Sequence, residues 1–389
     1  MVTTAADTGF DLTLTEEQEL AQRAARDFAT EKILPRAAEI DDQGKLPPEL
    51  LREMAGLGFM GTYVPERYGG SGLDAVSYVL ILEEINRACA STGVMLCSHV
   101  SLAVDPILHH GSDAQKEKYL PKLARGEWIG CFALSEPASG SDAAAMRTAA
   151  RRDGNSWILN GTKNFITNGS LANVAIVFAQ TNPAQKHKGI AAFIVEKGTP
   201  GFSVGKLEKK LGIRGSDTAQ LIFQDARVPA ASLLGEADEG FRIALSTLDG
   251  GRISIAAQAV GIARACLEDS LAYAKQREAF GKKVADFQAI QWMLADMATE
   301  IDAARLLTWR AAALKDAGED HILAAAEAKL FASDVAVKAA RDCVQIFGGY
   351  GYLKDFPAER HYRDAKITEI YEGTSEIMKL VIAEEILKE

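Results

Sequence analysis

The hydrophobic period of this chain changes twice, and that change limits the folds open to it more than any other feature. Up to about residue 130 apolar residues recur at helical spacing. From there to about 236 they fall in short strand-like runs, and after 237 the helical period returns and stays. In the first region Thr15 and Gln18 form a capping-box pattern ahead of Leu20, Ala24 and Phe28. Pro47 and Pro48 open a short helix carrying Leu50, Leu51 and Met54, which stops at Gly58. Further periodic runs cover 74–90 and 94–110, and Asp113 begins another short helix. The middle region holds strand-like runs at 128–134, 156–159, 174–179, 190–195 and 220–223, separated by turn formers such as Asp153-Gly154 and Asn160-Gly161. Short strands without helical period suit a small antiparallel barrel or sandwich. Ala/Leu-rich runs at 240–276, 284–316, 320–347 and 374–387 then suit an up-and-down four-helix bundle. The pattern predicts an α+β multidomain chain: an all-α domain over 1–130, a β-domain over 131–236 and a helical bundle over 237–389.

Composition narrows the function. With 48% hydrophobic and 25% charged residues, the 389-residue chain has the balance of a soluble globular protein. A net charge of −10 argues against a nucleic-acid surface or a basic membrane-binding face. An anionic small ligand remains open, because a few arginines and backbone N–H groups suffice to bind one. The five cysteines are scattered and never form a C-x-x-C pair, which points to buried thiols in a reducing compartment. The six histidines lack metal-ligand spacing, so metal catalysis is not expected. Met1 to Asp7 carries no basic, apolar leader, and no run of about 18 apolar residues marks a membrane span. The expectation is a cytoplasmic protein, or a mitochondrial-matrix one if this is a mature form.

Six segments have the residues for chemistry. In Ile370-Tyr371-Glu372-Gly373-Thr374-Ser375-Glu376 a carboxylate stands beside a glycine, in a break between helical runs. There Glu372 can face a cavity as a general base, or it can end a helix while Thr374 or Ser375 caps the next. Ser135 to Asp142 leaves a strand rich in hydroxyls and small residues, as a flat ligand requires and as an ordinary loop also shows. Phe165 and Thr167 lie two apart on a strand, so an aromatic face and a hydroxyl share one side. Gln345-Ile346-Phe347-Gly348-Gly349 ends a helix in a Gly-rich turn, for which a C-cap is the default reading. Arg277 and Phe280 follow a long helix, where an arginine can meet a pyrophosphate or water. Arg252 reads as the start of a long helical run.

Taken together, these segments resemble the acyl-CoA dehydrogenase family. The resemblance is carried by CFALSEPASGSD (131–142), NFITNG (164–169), KLGIRGSDT (210–218), QREAFGKKVADFQ (276–288) and QIFGGYGY followed by RDAKITEIYEGTSEI, in the family's order from about residue 12 to the end. Leu306 to Arg310 and Pro357 to Ala365 are most similar to the short-chain, butyryl-CoA branch. The resemblance implies FAD between the β-domain and the bundle. Its ring would meet Phe132, Ala133, Leu134, Ser135 and Ser141 on one segment and Phe165, Ile166 and Thr167 on another. Arg277, Phe280, Gln288 and Gln345 to Gly349 would hold the adenylate end across a subunit interface, with Thr374, Ser375 and Glu376 as further contacts. Ser141, Asp249, Gly250, Gly251, Arg252 and Gly373 would contact substrate. Phe165 departs from the tryptophan common in the family. Gly251 stands where the isovaleryl-CoA branch carries its base, which leaves that role to Glu372.

The resemblance therefore implies dehydrogenation of a short-chain acyl-CoA. Glu372 would take the α-proton while hydride leaves the β-carbon for flavin N5, giving a trans-2-enoyl-CoA. The Glu372 N–H and a flavin ribityl hydroxyl would stabilise charge on the thioester oxygen. Implied partners are an electron-transfer flavoprotein and three further copies in a homotetramer. The alternatives are a dehydrogenase or oxidase for branched, cyclic or other specialised acyl groups, and a non-catalytic acyl-CoA or FAD scaffold. Ser91 to Ser98, a candidate pocket helix, has no arginine for the distal carboxylate of a glutaryl group.

Overall fold

A computed structural model describes residues 13–388, so the reading of Met1 to Asp7 lies outside the described residues. Helix α1 (Glu16–Phe28) starts with the expected box: Thr15 Oγ1 accepts from the Gln18 N–H, and Gln18 Oε1 accepts from the Thr15 N–H. Helices α2 (Ala37–Gln43) and α3 (Pro48–Gly56) follow, and α3 ends just before Gly58, whose φ of 78° stops it. Helix α4 (Ala75–Ala88) is almost wholly buried, with Glu84 paired to Arg87 and Glu83 to Arg264 of a later helix. The next helix runs from Ala90 to His110 as α5 (Ala90–Cys97), a π turn over Ser98–Val104 and α6 (Asp105–His110). This stretch has the length and hydropathy of a membrane span, yet 94% of its apolar window is buried in the protein. It serves as a core helix. Helix α7 (Asp113–Ala124) is opened by a second box, Ser112 with Gln115.

The middle region contains β1 (Gly130–Ala133), β2 (Ala149–Asp153), β3 (Ser156–Thr167), β4 (Val174–Gln180), β5 (Ile190–Glu196), β6 (Phe202–Leu207), β7 (Thr218–Pro229) and β8 (Leu233–Leu234). They form one eight-stranded sheet in the order β6-β7-β3-β2-β4-β5-β8, with β1 added beside β4. The sheet is not purely antiparallel as expected: β1 lies parallel to β4, and β2 meets β4 at one parallel pair, Ala149 with Gln180. Both faces of β4 are covered, which explains its continuous apolar sequence. Val174, Ile176 and Phe178 join an apolar cluster with Tyr119, Leu120 and Leu123 of α7, while Ala175, Val177 and Ala179 join one within the sheet.

The long helices are α8 (Gly240–Gln276), α9 (Gln288–Asp316) and α10 (Ile322–Phe347), close to the periodic runs in the sequence. A small hairpin, β9 (Glu278–Ala279) with β10 (Lys282–Lys283), links the first two. Helices α11 (Ala358–Ala365) and α12 (Ser375–Ile386) complete the chain. The bundle is less regular than four equal helices: α12 has only 12 residues, and α4 packs against both α8 and α9. Arg252 sits well inside α8, not at a helix start. One apolar cluster joins Phe28, Tyr78 and Leu82 to Ile262, Ile301 and Ala336, so the first and last regions share a core.

Candidate active site

Glu372 lies between a 3₁₀ turn over Lys366–Glu369 and α12, in a bend that its own backbone makes. Its φ is 52° and that of Gly373 is 101°. A glutamate in the left-handed region is strained, and such strain is typical of functional positions. Thr374 caps α12 by accepting from the Ile377 N–H, as the capping reading of the segment expects. Among the described residues the Glu372 backbone N–H makes no hydrogen bond, and neither does the buried oxygen Oε2. Burial pushes the Glu372 carboxyl up to about 8, against the pull of Lys329 and Arg252.

The surroundings come from several helices. On α8, Gly250, Gly251 and Arg252 are buried, and Arg252 Nη1 donates to Asp249 Oδ1 at 2.6 Å. Gly251 packs directly on the Glu372 carboxylate and on Leu102 from the π turn. Leu102 in turn belongs to the apolar cluster of Phe132 and Leu134, which ties Glu372 to the end of β1. Tyr371 donates to Gln258, and Gln258 donates to the Ala90 carbonyl, which anchors the Glu372 segment to α8 and α5. Lys329, fully buried on α10, donates to the Gly373 carbonyl at 2.6 Å.

The structure places the other expected residues in two further groups. Phe132 and Ala133 are buried on β1, followed by Leu134 and the half-buried Ser135. The Ser135 carbonyl accepts from the Asn164 N–H, which holds this segment beside Phe165, Ile166 and Thr167. Phe165 has a φ of 60° in a bulge of β3 and is 64% exposed, so simple strand alternation does not govern its direction. Ser141 is exposed on the same loop. Beneath the loop, Lys163 Nζ donates to the Leu134 carbonyl and to Glu136 Oε1, while Glu136 also accepts from the Arg147 and Thr148 N–H groups.

The second group lies near the far end of α10, roughly 25 Å along the helix from Lys329. There Arg277, Ile346, Phe347, Gly348 and Gly349 line a cavity of about 350 Å³ together with Tyr350. The Arg277 guanidinium stacks over Tyr350 at 5.4 Å. A side-chain atom built on Gly348 or Gly349 would meet nothing within 4 Å, so a ligand can approach this backbone closely. Gln345 is exposed nearby, as are Gln288 and Phe280 in the segment that follows α8. In the base segment, Ser375 Oγ is buried without a partner and Glu376 is exposed.

Two buried lysines of the site have no role that the sequence assigns. Lys329 stands in an alanine-rich stretch, among Ala325, Ala328 and Ala332 at helical spacing, and that apolar neighbourhood was the available signal. Lys163 precedes a quoted motif, but nothing local marks its partner as Glu136. All five cysteines are buried free thiols, as expected.

Residues 15–127, 131–226 and 238–387 match the family models described as the N-terminal, middle and C-terminal domains of acyl-CoA dehydrogenase. The mitochondrial short-chain specific acyl-CoA dehydrogenase of Homo sapiens is 52% identical over 375 residues, 96% of this chain and 91% of that protein. Butyryl-CoA dehydrogenase from Megasphaera elsdenii, a solved structure, is 47% identical with a TM-score of 0.95 over 97% of this chain and 100% of its own. A chain solved in work on the electron transferring flavoprotein of Acidaminococcus fermentans is 49% identical with a TM-score of 0.96, at 97% and 100% coverage. The chain belongs to the acyl-CoA dehydrogenase family.

Proposed function

We propose that Glu372 is the base that removes the α-proton of a short-chain acyl-CoA. The reaction is the α,β-dehydrogenation that opens fatty acid β-oxidation, with a trans-2-enoyl-CoA as product. The observation that carries the assignment is the buried, unpartnered Oε2 of Glu372, held in a strained bend against Gly251. A carboxylate with a proton affinity near that of the medium can accept a proton from carbon and release it again. The free Glu372 N–H supplies a donor for the thioester oxygen, where charge develops as the α-proton leaves. Burial by Leu102, Tyr371 and α8 keeps water from this carboxylate, which strengthens its interaction with a bound acyl group.

The remaining residues fit a dinucleotide cofactor. The partnerless Ser375 Oγ and Asn164 Oδ1, the exposed Phe165 ring and the open Gly348-Gly349 backbone all lie on the segments assigned to FAD. Phe132 to Ser135, Ser141 and Phe165 to Thr167 would hold its ring side. Arg277, Phe280, Gln288 and Gln345 to Gly349 would hold the adenylate side, with Thr374 to Glu376 between. Bound FAD supplies the hydride acceptor. Ser141, Asp249, Gly250, Gly251, Arg252 and Gly373 would contact substrate. The reading includes a cytoplasmic homotetramer that passes electrons to an electron-transfer flavoprotein, with its units divided near residues 130 and 236.

The test is an anaerobic titration of the purified yellow protein with straight, branched and cyclic acyl-CoAs. Bleaching by butyryl-CoA in preference to longer or branched thioesters is expected. Glu372→Gln should keep FAD and bind acyl-CoA without bleaching, and normal bleaching by that variant would overturn the assignment.

A further inference from the structure

Lys329 is a charged group in a place where charge is costly. Its side chain is fully buried, and among the described residues no carboxylate lies within ion-pair distance of its ammonium. Lysines are almost never buried in this way without a pairing partner. Among the described residues the ammonium makes one hydrogen bond, to a neutral acceptor, the Gly373 carbonyl at 2.6 Å. One turn further along α10, the Ser333 hydroxyl shares its single proton between the Lys329 carbonyl at 2.7 Å and the Thr368 carbonyl at 2.9 Å. Residues four apart lie on one helix face, so this face grips the chain on both sides of Glu372. The strained bend at Glu372 and Gly373 is thus held from α10 at Thr368 and at Gly373.

We propose that Lys329 is a positioning residue for the base, fixing the Glu372 bend through the Gly373 carbonyl and supplying the uncompensated positive charge that the Glu372 carboxylate meets. The inference rests on Glu372 being the base. The other cation near the carboxylate, Arg252, is already paired with Asp249. Tyr78 from α4, Cys97 from α5 and the adjacent Tyr371 also feel the charge of Glu372, and burial raises all three above their ordinary ranges, so they stay neutral. On its other side Lys329 is influenced by Glu369 and Asp334. Burial lowers Lys329 to about 8, with the Glu372 carboxylate opposing that fall. Proton loss from either group therefore changes the affinity of the other.

The experiment compares Lys329→Gln, Lys329→Met and Ser333→Ala holoenzymes across pH. One readout is the rate of anaerobic flavin bleaching by butyryl-CoA. A second is the infrared titration of the Glu372 carboxyl, with Glu372→Gln as reference, which does not depend on turnover. Lys329→Gln keeps a donor and loses the charge, and it should move the acidic limb of the rate profile upward by about one to three pH units. Lys329→Met should show the same shift with a lower plateau, because it also frees the bend. Ser333→Ala removes a grip without changing charge, and its limb should coincide with that of the parent. A limb and a carboxyl titration unchanged in folded, FAD-replete Lys329→Gln would overturn the proposal, with Lys329→Met deciding if the glutamine variant does not fold. Bleaching by Glu372→Gln would instead remove the base assignment on which it stands.

Discussion

The carboxylate of Glu372 occupies the space that a side chain on Gly251 would need. A Cβ built on Gly251 would lie 2.0 Å from Glu372 Oε2 and 2.9 Å from Leu102 Cδ2. Both neighbours are ends of flexible side chains, so the protein can accommodate a methyl group by moving them. Gly251→Ala should therefore fold, helped by the higher helix propensity of alanine. It should displace the base and slow flavin bleaching by butyryl-CoA about a hundredfold, as misplacement by about an ångström can do. Stopped-flow reduction, with FAD content and thermal melting as controls, checks this.

The raised proton affinity of Glu372 fixes the sign of two pH effects. Activity needs the carboxylate, so kcat/KM should rise with pH through a limb near 8. Stability runs the other way. The folded protein holds this proton more tightly than the unfolded chain, so the contribution is complete below the ordinary value of 4.5 and is lost as pH rises through about 8. Glu372→Gln removes the limb and the loss together. Its melting temperature should match that of the parent below about pH 4.5 and exceed it by a margin that grows up to about pH 8.

Lys163 and Glu136 form a buried pair beneath the loop proposed to meet the flavin, with Nζ and Oε1 2.8 Å apart. Burial alone would raise Glu136, yet Lys163 and the Thr148 and Arg147 contacts hold it below its ordinary value. That stabilisation is present at neutral pH and is lost as pH falls through the depressed value. Lys163→Met leaves the carboxylate with backbone donors only, and should cost about 3 kcal/mol in urea unfolding. Because Nζ also holds the Leu134 carbonyl, the variant should retain less FAD after gel filtration.

Phe280 is 95% exposed at a φ of 53°, on the hairpin segment beside Arg277. An aromatic ring so open to water suits a contact with another copy of the chain. Phe280→Asp should shift the sedimentation profile from the proposed tetramer toward smaller species and lower FAD occupancy. An unchanged profile would remove Phe280 from the interface.

The helices of the C-terminal region were readable because long apolar periodicity leaves few alternatives, and the helices at 240–276 and 322–347 follow it closely. Glu372 stands out through the motif around it, since local sequence alone favours a helix cap. The place of Arg252 was hidden by Gly250-Gly251, which resemble a helix break. They sit mid-helix, where the Glu372 carboxylate takes the room beside Gly251 and the Lys315 ammonium lies close to Gly250. The parallel pairing of β1 with β4 was hidden because a strand buried on both faces shows no alternation. Lys329 was missed because a helical lysine ordinarily faces water, and only its alanine neighbours indicate otherwise.

Helix α8 has one consequence for how the molecule comes apart. Its 37 residues extend for about 55 Å, from Gly240, packed on the backbone of Ala191 in the sheet, past the base, to the cap at Arg277. Along the way Gly261 lies against the backbone of Glu83 and Arg87 in α4. The three segments that match separate family models are therefore not independent folding units. A fragment cut before residue 238 would lose the wall against which its own helices close. Unfolding should proceed as one cooperative event, and a proteolytic nick within α8 should release the whole architecture at once.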